Sequence, residues 1–207
     1  MAEPPDHNHD HHHPEGAVRL DYYEAMQLAV AELLIEKGIF SADDMRREVE
    51  AMQARTPAKG AAVVARAWTD PAFKAALLKN GTAACESLGI EMGPTHLVVV
   101  ENTPGVHNAV VCTLCSCYPR MLLGPPPDWY KSRPYRSRMV REPRAVLAEF
   151  GLRLPDSTVL RVHDSTADMR YLVLPERPAG TTSLSEGALA ALVTRDCMIG
   201  VAVPKAP

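Results

Sequence analysis

Apolar residues recur at helical spacing over Tyr23, Met26, Val30, Leu33 and Leu34, and the run stops at Lys37-Gly38, where glycine accepts the left-handed backbone that ends helices. Ser41 opens a second helix with Asp44 three positions on, a short form of the capping box. Met45, Val49 and Met52 give that helix only a thin apolar stripe, suited either to another subunit or to the chain's own core. Residues 54–60 (A-R-T-P-A-K-G) read as a linker. Helical spacing resumes over Ala61–Trp68 and again after Asp70-Pro71, an N-cap followed by proline at the first helical position. Beyond Gly81 and Gly89 the period shortens, and Leu97–Val100, Ala109–Val111, Val159–His163 and Tyr171–Leu174 read as strands. The last two are expected to form a hairpin flanked by Asp164 and Arg170, and a final helix runs from Ser185 to about Arg195. The pattern predicts an α+β fold: a tail over residues 1–17, a helical arm over 18–58 and a globular domain over 59–207.

Composition narrows the function. The chain has 207 residues, 46% hydrophobic, enough for one substantial core. Its net charge of −3 argues against a nucleic-acid binder. Apolar runs such as Leu97–Val100 are far too short to span a bilayer. The N-terminus lacks a basic stretch leading into an apolar one, so a cytoplasmic protein is expected. Residues 1–16 are polar and unpatterned, and His7, His9, His11, His12 and His13 make either a solvated tail or a weak trap for divalent metal. Basic residues concentrate between Arg120 and Arg144, as an ordinary solvated surface or one facing an anion.

The sharpest chemical signal is Cys112-Thr113-Leu114-Cys115-Ser116-Cys117. Thiolates that close repel one another, and a bound cation is the usual remedy. Structural zinc and iron–sulfur clusters both want a fourth protein ligand. Cys85, Cys197, His107 and His163 are scattered without ligand spacing, and the two isolated cysteines read as buried small hydrophobes. Cys-Ser-Cys is short enough for the backbone nitrogens of Ser116 and Cys117 to join the sulfurs around one ion. That donor set suits a trivalent, Lewis-acidic metal with one position left for substrate or water. On chemistry alone, a structural site and an open catalytic site both stand.

The segment Val111–Pro119 resembles the metal signature of nitrile hydratase α subunits and the related thiocyanate hydrolase γ subunits. The likeness continues through Val100-Glu101-Asn102-Thr103, Pro126–Lys131, Tyr135-Arg136-Ser137-Arg138, Arg141–Arg144, Arg177–Gly180 and Val193–Asp196, over roughly residues 18–203. It implies sulfur ligands from Cys112, Cys115 and Cys117 and amide ligands from Ser116 and Cys117. It also implies Cys115 as sulfinate, Cys117 as sulfenate, and Asp164 and Arg170 as outer polar groups. Thr113 and Tyr118 match the cobalt-type signature, whereas iron-type members carry serine and threonine there, so one low-spin Co(III) per chain is the expected ion. A β subunit is implied as partner, supplying two arginines and much of the pocket, together with a maturation or activator protein.

Within that family the features divide. Arg120, where most cobalt-type α subunits have tryptophan, resembles thiocyanate hydrolase γ subunits, as do the His/Asp-rich tail and the ending Arg195–Lys205. An arginine beside the metal suits an anionic substrate. The Val99–Asn108 segment is similar instead to nitrile hydratases. The resemblance therefore implies hydration of a small-molecule nitrile, with Cys117, Ser116 and Arg120 at the reacting centre. Thiocyanate hydrolysis is the alternative, and an orphan metal-binding subunit without activity of its own is a third.

Overall fold

The computed structural model describes residues 20–207 and divides them into two compact units, which meet between Val49 and Glu50. The His-rich tail lies outside the described residues.

The first unit holds α1 (Tyr22–Glu36) and most of α2 (Ala42–Gln53). Local capping fixes both starts. The Asp21 carboxylate accepts from the Glu24 amide and Glu24 answers at the Asp21 amide, while Ser41 and Asp44 exchange the same pair of bonds. Neither helix has a buried residue.

In the second unit, α3 (Ala58–Thr69) starts inside the stretch expected to be linker. Gly60 and Ala61 are buried on its inner face, and a Cβ on Gly60 would lie 2.8 Å from the Leu123 and Met198 side chains. Close approach, rather than a need for a turn, places glycine there. Asp70 and Asn80 then cap α4 (Pro71–Lys79) and α5 (Gly81–Glu86).

The four expected strands form, but their pairing differs from expectation. β1 (His96–Glu101) runs parallel to β4 (Met169–Leu174), and β2 (Val106–Val111) runs parallel to β3 (Val159–Asp164). The last two strands thus do not make a hairpin. Each takes a partner from the earlier pair, because Leu172–Leu174 and Ala109–Val111 are buried strand segments, and parallel pairing lets helices cover them. The long crossover from β2 to β3 carries the cysteine loop and four short helices: α6 (Arg120–Leu123), α7 (Asp128–Lys131), α8 (Arg133–Arg141) and α9 (Pro143–Glu149).

The single C-terminal helix anticipated after Ser185 is two. α10 (Glu186–Ala190) stops, and Thr194 caps a new helix, α11 (Arg195–Ile199), by accepting from the Cys197 amide. The restart buries Cys197, Met198 and Ile199. Cys85 and Cys197 are both buried in the core, as anticipated.

Gly200 ends α11 at φ 87°, and a Cβ there would sit 2.0 Å from the Asn108 carbonyl oxygen. Its own carbonyl bonds the buried His107 ring at 2.8 Å. Gly200→Ala combines left-handed strain with a backbone clash, so a loss of at least about 2 kcal/mol is expected. A denaturant melt of the variant beside the parent chain checks this, and an unchanged midpoint would contradict it.

Candidate metal centre

Cys112 is the residue that follows β2, so the cysteine loop springs from the C-terminal end of a buried parallel strand, the usual place for a site in parallel α/β layers. The ligand-bearing atoms of Cys112, Cys115 and Cys117 all lie within 4.8 Å of one another. Sγ of Cys115 is 3.5 Å from that of Cys112 and 3.2 Å from that of Cys117. Cys112 is buried, Cys117 half-buried and Cys115 exposed. The loop therefore has an anchored sulfur and an accessible side.

Hydrogen bonding among the thiols shows why a cation belongs there. The bond from Cys117 holds the Cys115 thiol below the usual range. Burial, and then that same bond, push Cys117 upward. Three sulfurs this close cannot all ionise without a positive charge between them. The donor set fits a metal ion.

Three side chains distant in sequence hold the loop. Asp164 ends β3 opposite Val111 in the parallel register, and its carboxylate accepts from the Thr113 amide at 2.9 Å and from the Thr113 hydroxyl. Arg136 on α8 donates to the Leu114 carbonyl at 3.0 Å. Tyr130 on α7, fully buried, donates to the Cys117 carbonyl at 2.9 Å. The Tyr118 and Tyr130 rings pack edge to face, with centroids 5.1 Å apart. Asp164 was singled out from the sequence; the loop contacts of Tyr130 and Arg136 were not. Both lie in family-like segments, but nothing local in their sequence signals that they reach back to residues 114 and 117.

Among the described residues, His107 and His163 stand apart from the thiol cluster. His163 Nε2 lies 2.8 Å from Asn108 Oδ1, and His107 bridges Asn102 and the Gly200 carbonyl. Burial lowers both pKa values. Neutral rings suit this network: His107 Nε2 donates to the Gly200 carbonyl, leaving Nδ1 to accept from the Asn102 amide.

A cleft of about 400 Å³ opens beside the loop. Cys115, Ser116 and Cys117 line it together with Arg120 and Arg170. Arg120 begins α6 and is exposed. Arg170 lies in β4, not beside a hairpin, and its guanidinium donates to the Thr166 and Ala167 carbonyls. Its charge pulls the Cys117 thiol downward, against the larger effect of burial.

Asp164→Ala removes both bonds that hold Thr113. Losing outer contacts of a ligand loop commonly costs about ten- to a hundredfold in metal affinity or activity. A fall of that size is expected in metal retention during chelator challenge, and full retention would make Asp164 an ordinary turn residue.

Three convergent cysteine sulfurs at the end of a buried strand of an α+β fold define a candidate metal-binding protein. Residues 21–202 match the family described as nitrile hydratase, alpha chain, and the chain belongs to that family. It is 50% identical over 181 residues to the low-molecular weight cobalt-containing nitrile hydratase subunit alpha of Rhodococcus rhodochrous, covering 86% of this chain and 87% of that one. It is 47% identical over 195 residues to the thiocyanate hydrolase subunit gamma of Thiobacillus thioparus, covering 88% and 80%. Among solved structures, a double histidine variant of the Fe-type nitrile hydratase from Comamonas testosteroni Ni1 superimposes with a TM-score of 0.83. That match has 47% identity and covers 92% of this chain and 94% of that one. No helix among the described residues is long and apolar enough to cross a membrane.

Proposed function

We propose that this chain is the metal-bearing α subunit of a cobalt-type nitrile hydratase, converting nitriles and water to amides. The observation that carries the reading is the convergence of the Cys112, Cys115 and Cys117 sulfurs beside an accessible cleft. In this reading the three sulfurs and the backbone nitrogens of Ser116 and Cys117 hold the ion. Cobalt(III), when bound, supplies Lewis acidity toward a nitrile nitrogen or a water. Cobalt is preferred over iron on Thr113 and Tyr118 and on the cobalt-containing relative.

The protein's own part is positional. Asp164, Arg136 and Tyr130 fix the loop before any ligand arrives, so the cleft side of Cys115 and Cys117 is preorganised. The family likeness implies Cys115 as sulfinate and Cys117 as sulfenate, and the Cys117 oxygen would then accept a proton from the attacking water. Arg120 narrows which nitriles enter. A β-type subunit covers the exposed apolar residues of α1 and of the loop, Leu114 above all at 86% exposure, and brings two arginines to the oxidised sulfurs. A maturation protein inserts the metal, and the assembly works in the cytoplasm.

Thiocyanate hydrolysis is the second reading, favoured by one observation: Arg120 shares the cleft with Cys115 and Cys117. Co-expression with a β-type subunit in cobalt medium, followed by metal analysis and parallel nitrile and thiocyanate assays, tests both. About one cobalt per chain and amide formation are expected. Tetrahedral zinc in the assembled, cobalt-grown protein would refute the proposal, and thiocyanate turnover without amide formation would transfer it to the second reading.

A further inference from the structure

Among the described residues, three buried side-chain polar atoms have no hydrogen-bond partner: Tyr118 OH, Arg136 Nε and Ser165 Oγ. All three belong to residues around the cysteine loop, and buried polar groups are rarely left so without a reason. Ser165 is the sharpest case. It is 2% exposed and follows Asp164 at the end of β3. Its amide donates to the Val111 carbonyl at 2.8 Å, which carries the β2–β3 register one step past Asp164 and sets Ser165 opposite Cys112. Opposite residues of paired strands project to the same side, and successive residues to opposite sides. The Asp164 carboxylate goes to Thr113 on one side, so Ser165 shares the other, buried side with Cys112. The Tyr130 phenol lies near both: burial pushes its pKa up, Tyr135 and the Cys112 sulfur add to that, and the Ser165 hydroxyl opposes it. Tyr130 itself donates to the Cys117 carbonyl. The Cys112 sulfur accepts from the Cys115 amide at 3.3 Å, leaving lone pairs for a further donor.

We propose that Ser165 is a positioning residue of the metal centre, its hydroxyl donating to the Cys112 sulfur when that sulfur holds the metal. The proposal rests on the metal-binding reading above and adds a residue to that site. A neutral thiol is a weak acceptor, so the hydroxyl gains little from Cys112 before the metal binds. A metal-bound thiolate is charged, and a hydrogen bond to a charged acceptor is about twice as strong as one to a neutral group. Such a bond to a ligating sulfur orients it and lowers its donor energy. Asp164 and Ser165 thus serve the centre from adjacent positions. Asp164 holds the exposed side of the loop at Thr113, and Ser165 holds its buried sulfur.

The test uses the complex with its β-type partner, prepared in cobalt medium and in cobalt-free medium, for the parent and for Ser165→Ala, Ser165→Val and Ser165→Thr. The Val and Thr variants match in shape and differ by one hydroxyl, so any packing fault common to both cancels in their comparison. Cobalt loss to a chelator, the energy of the sulfur-to-cobalt absorption band and the thermal midpoint of both preparations are measured. Ser165→Ala and Ser165→Val are expected to lose cobalt about tenfold faster than the parent. Their absorption band should move to lower energy, with Ser165→Thr recovering part of both effects. In the cobalt-free complex Ser165→Ala should melt no lower than the parent, because the hydroxyl it removes is unpaired there. Equal falls in midpoint with and without cobalt would mean that the hydroxyl pairs with Tyr130 or a water in both forms, and would overturn the inference. Cobalt loss and an absorption band unmoved by Ser165→Ala, and alike in the Thr and Val variants, would overturn it too. A parent complex that takes up no cobalt overturns the metal-binding reading itself, and the inference with it.

Discussion

Cys117→Ser is expected to abolish activity and strip the metal while leaving the fold intact. Cys117 contributes the sulfur nearest to that of Cys115 and, in the proposed site, an amide nitrogen as well. Serine keeps the backbone nitrogen but replaces a soft, ionisable sulfur with a hydroxyl, a poor ligand that remains protonated at neutral pH. Only Cys112 and Cys115 would then supply sulfur. Since outer contacts alone are worth about ten- to a hundredfold, loss of a direct ligand should take activity below about 1% of the parent. Cys117 is half-buried and serine is smaller by little, so the melting temperature of the metal-free chain should hardly move. That combination separates a ligand from a packing residue. Cobalt content near one per chain with substantial turnover in Cys117→Ser, or equally in Cys115→Ser, would contradict the assignment.

The chain expressed without a β-type partner is expected to self-associate, hold little cobalt and show almost no activity. Tyr22 and Tyr23 are 73% and 75% exposed, Ile39 is 67% exposed, and Met45, Val49 and Met52 are exposed along α2. An apolar series of that extent, with nothing buried on either helix, is the mark of an interface rather than of a finished surface. A stable heteromeric interface covers about 1,200–2,000 Å² in total, which an arm of two helices can furnish. In the unassembled chain the exposed Cys115 is open to oxidants, and a Cys115–Cys117 sulfur separation of 3.2 Å makes disulfide formation the competing fate of the unmetallated site. Light scattering, cobalt analysis and mass spectrometry of Cys115 and Cys117 should change together when the partner is co-expressed. A well-behaved monomer with full activity and cobalt would overturn the expectation.

What was legible in the amino-acid sequence was whatever depends on near neighbours. Ser41, Asp70 and Ser185 were read as helix starts, and each side chain accepts from the amide three positions on. Strand positions follow from β-branched runs. The metal loop follows from three thiols in six residues, whose mutual repulsion is itself local chemistry. Asp164 was singled out only through the family likeness, as an outer polar group, and its reach to Thr113 emerged from the structure.

Strand pairing was decided by the tertiary structure, because a buried apolar strand is compatible with several partners and its choice depends on which helices cover it. The parallel register sets Asp164 beside Val111, and the β2–β3 crossover returns Tyr130 and Arg136 to the loop they brace. Arg120 and Arg170 lie on α6 and β4, yet they share one cleft with Cys115 and Cys117. Residue spacing alone cannot reveal such a meeting. It arises when the core closes and fixes where the ends of β2, β3 and β4 stand.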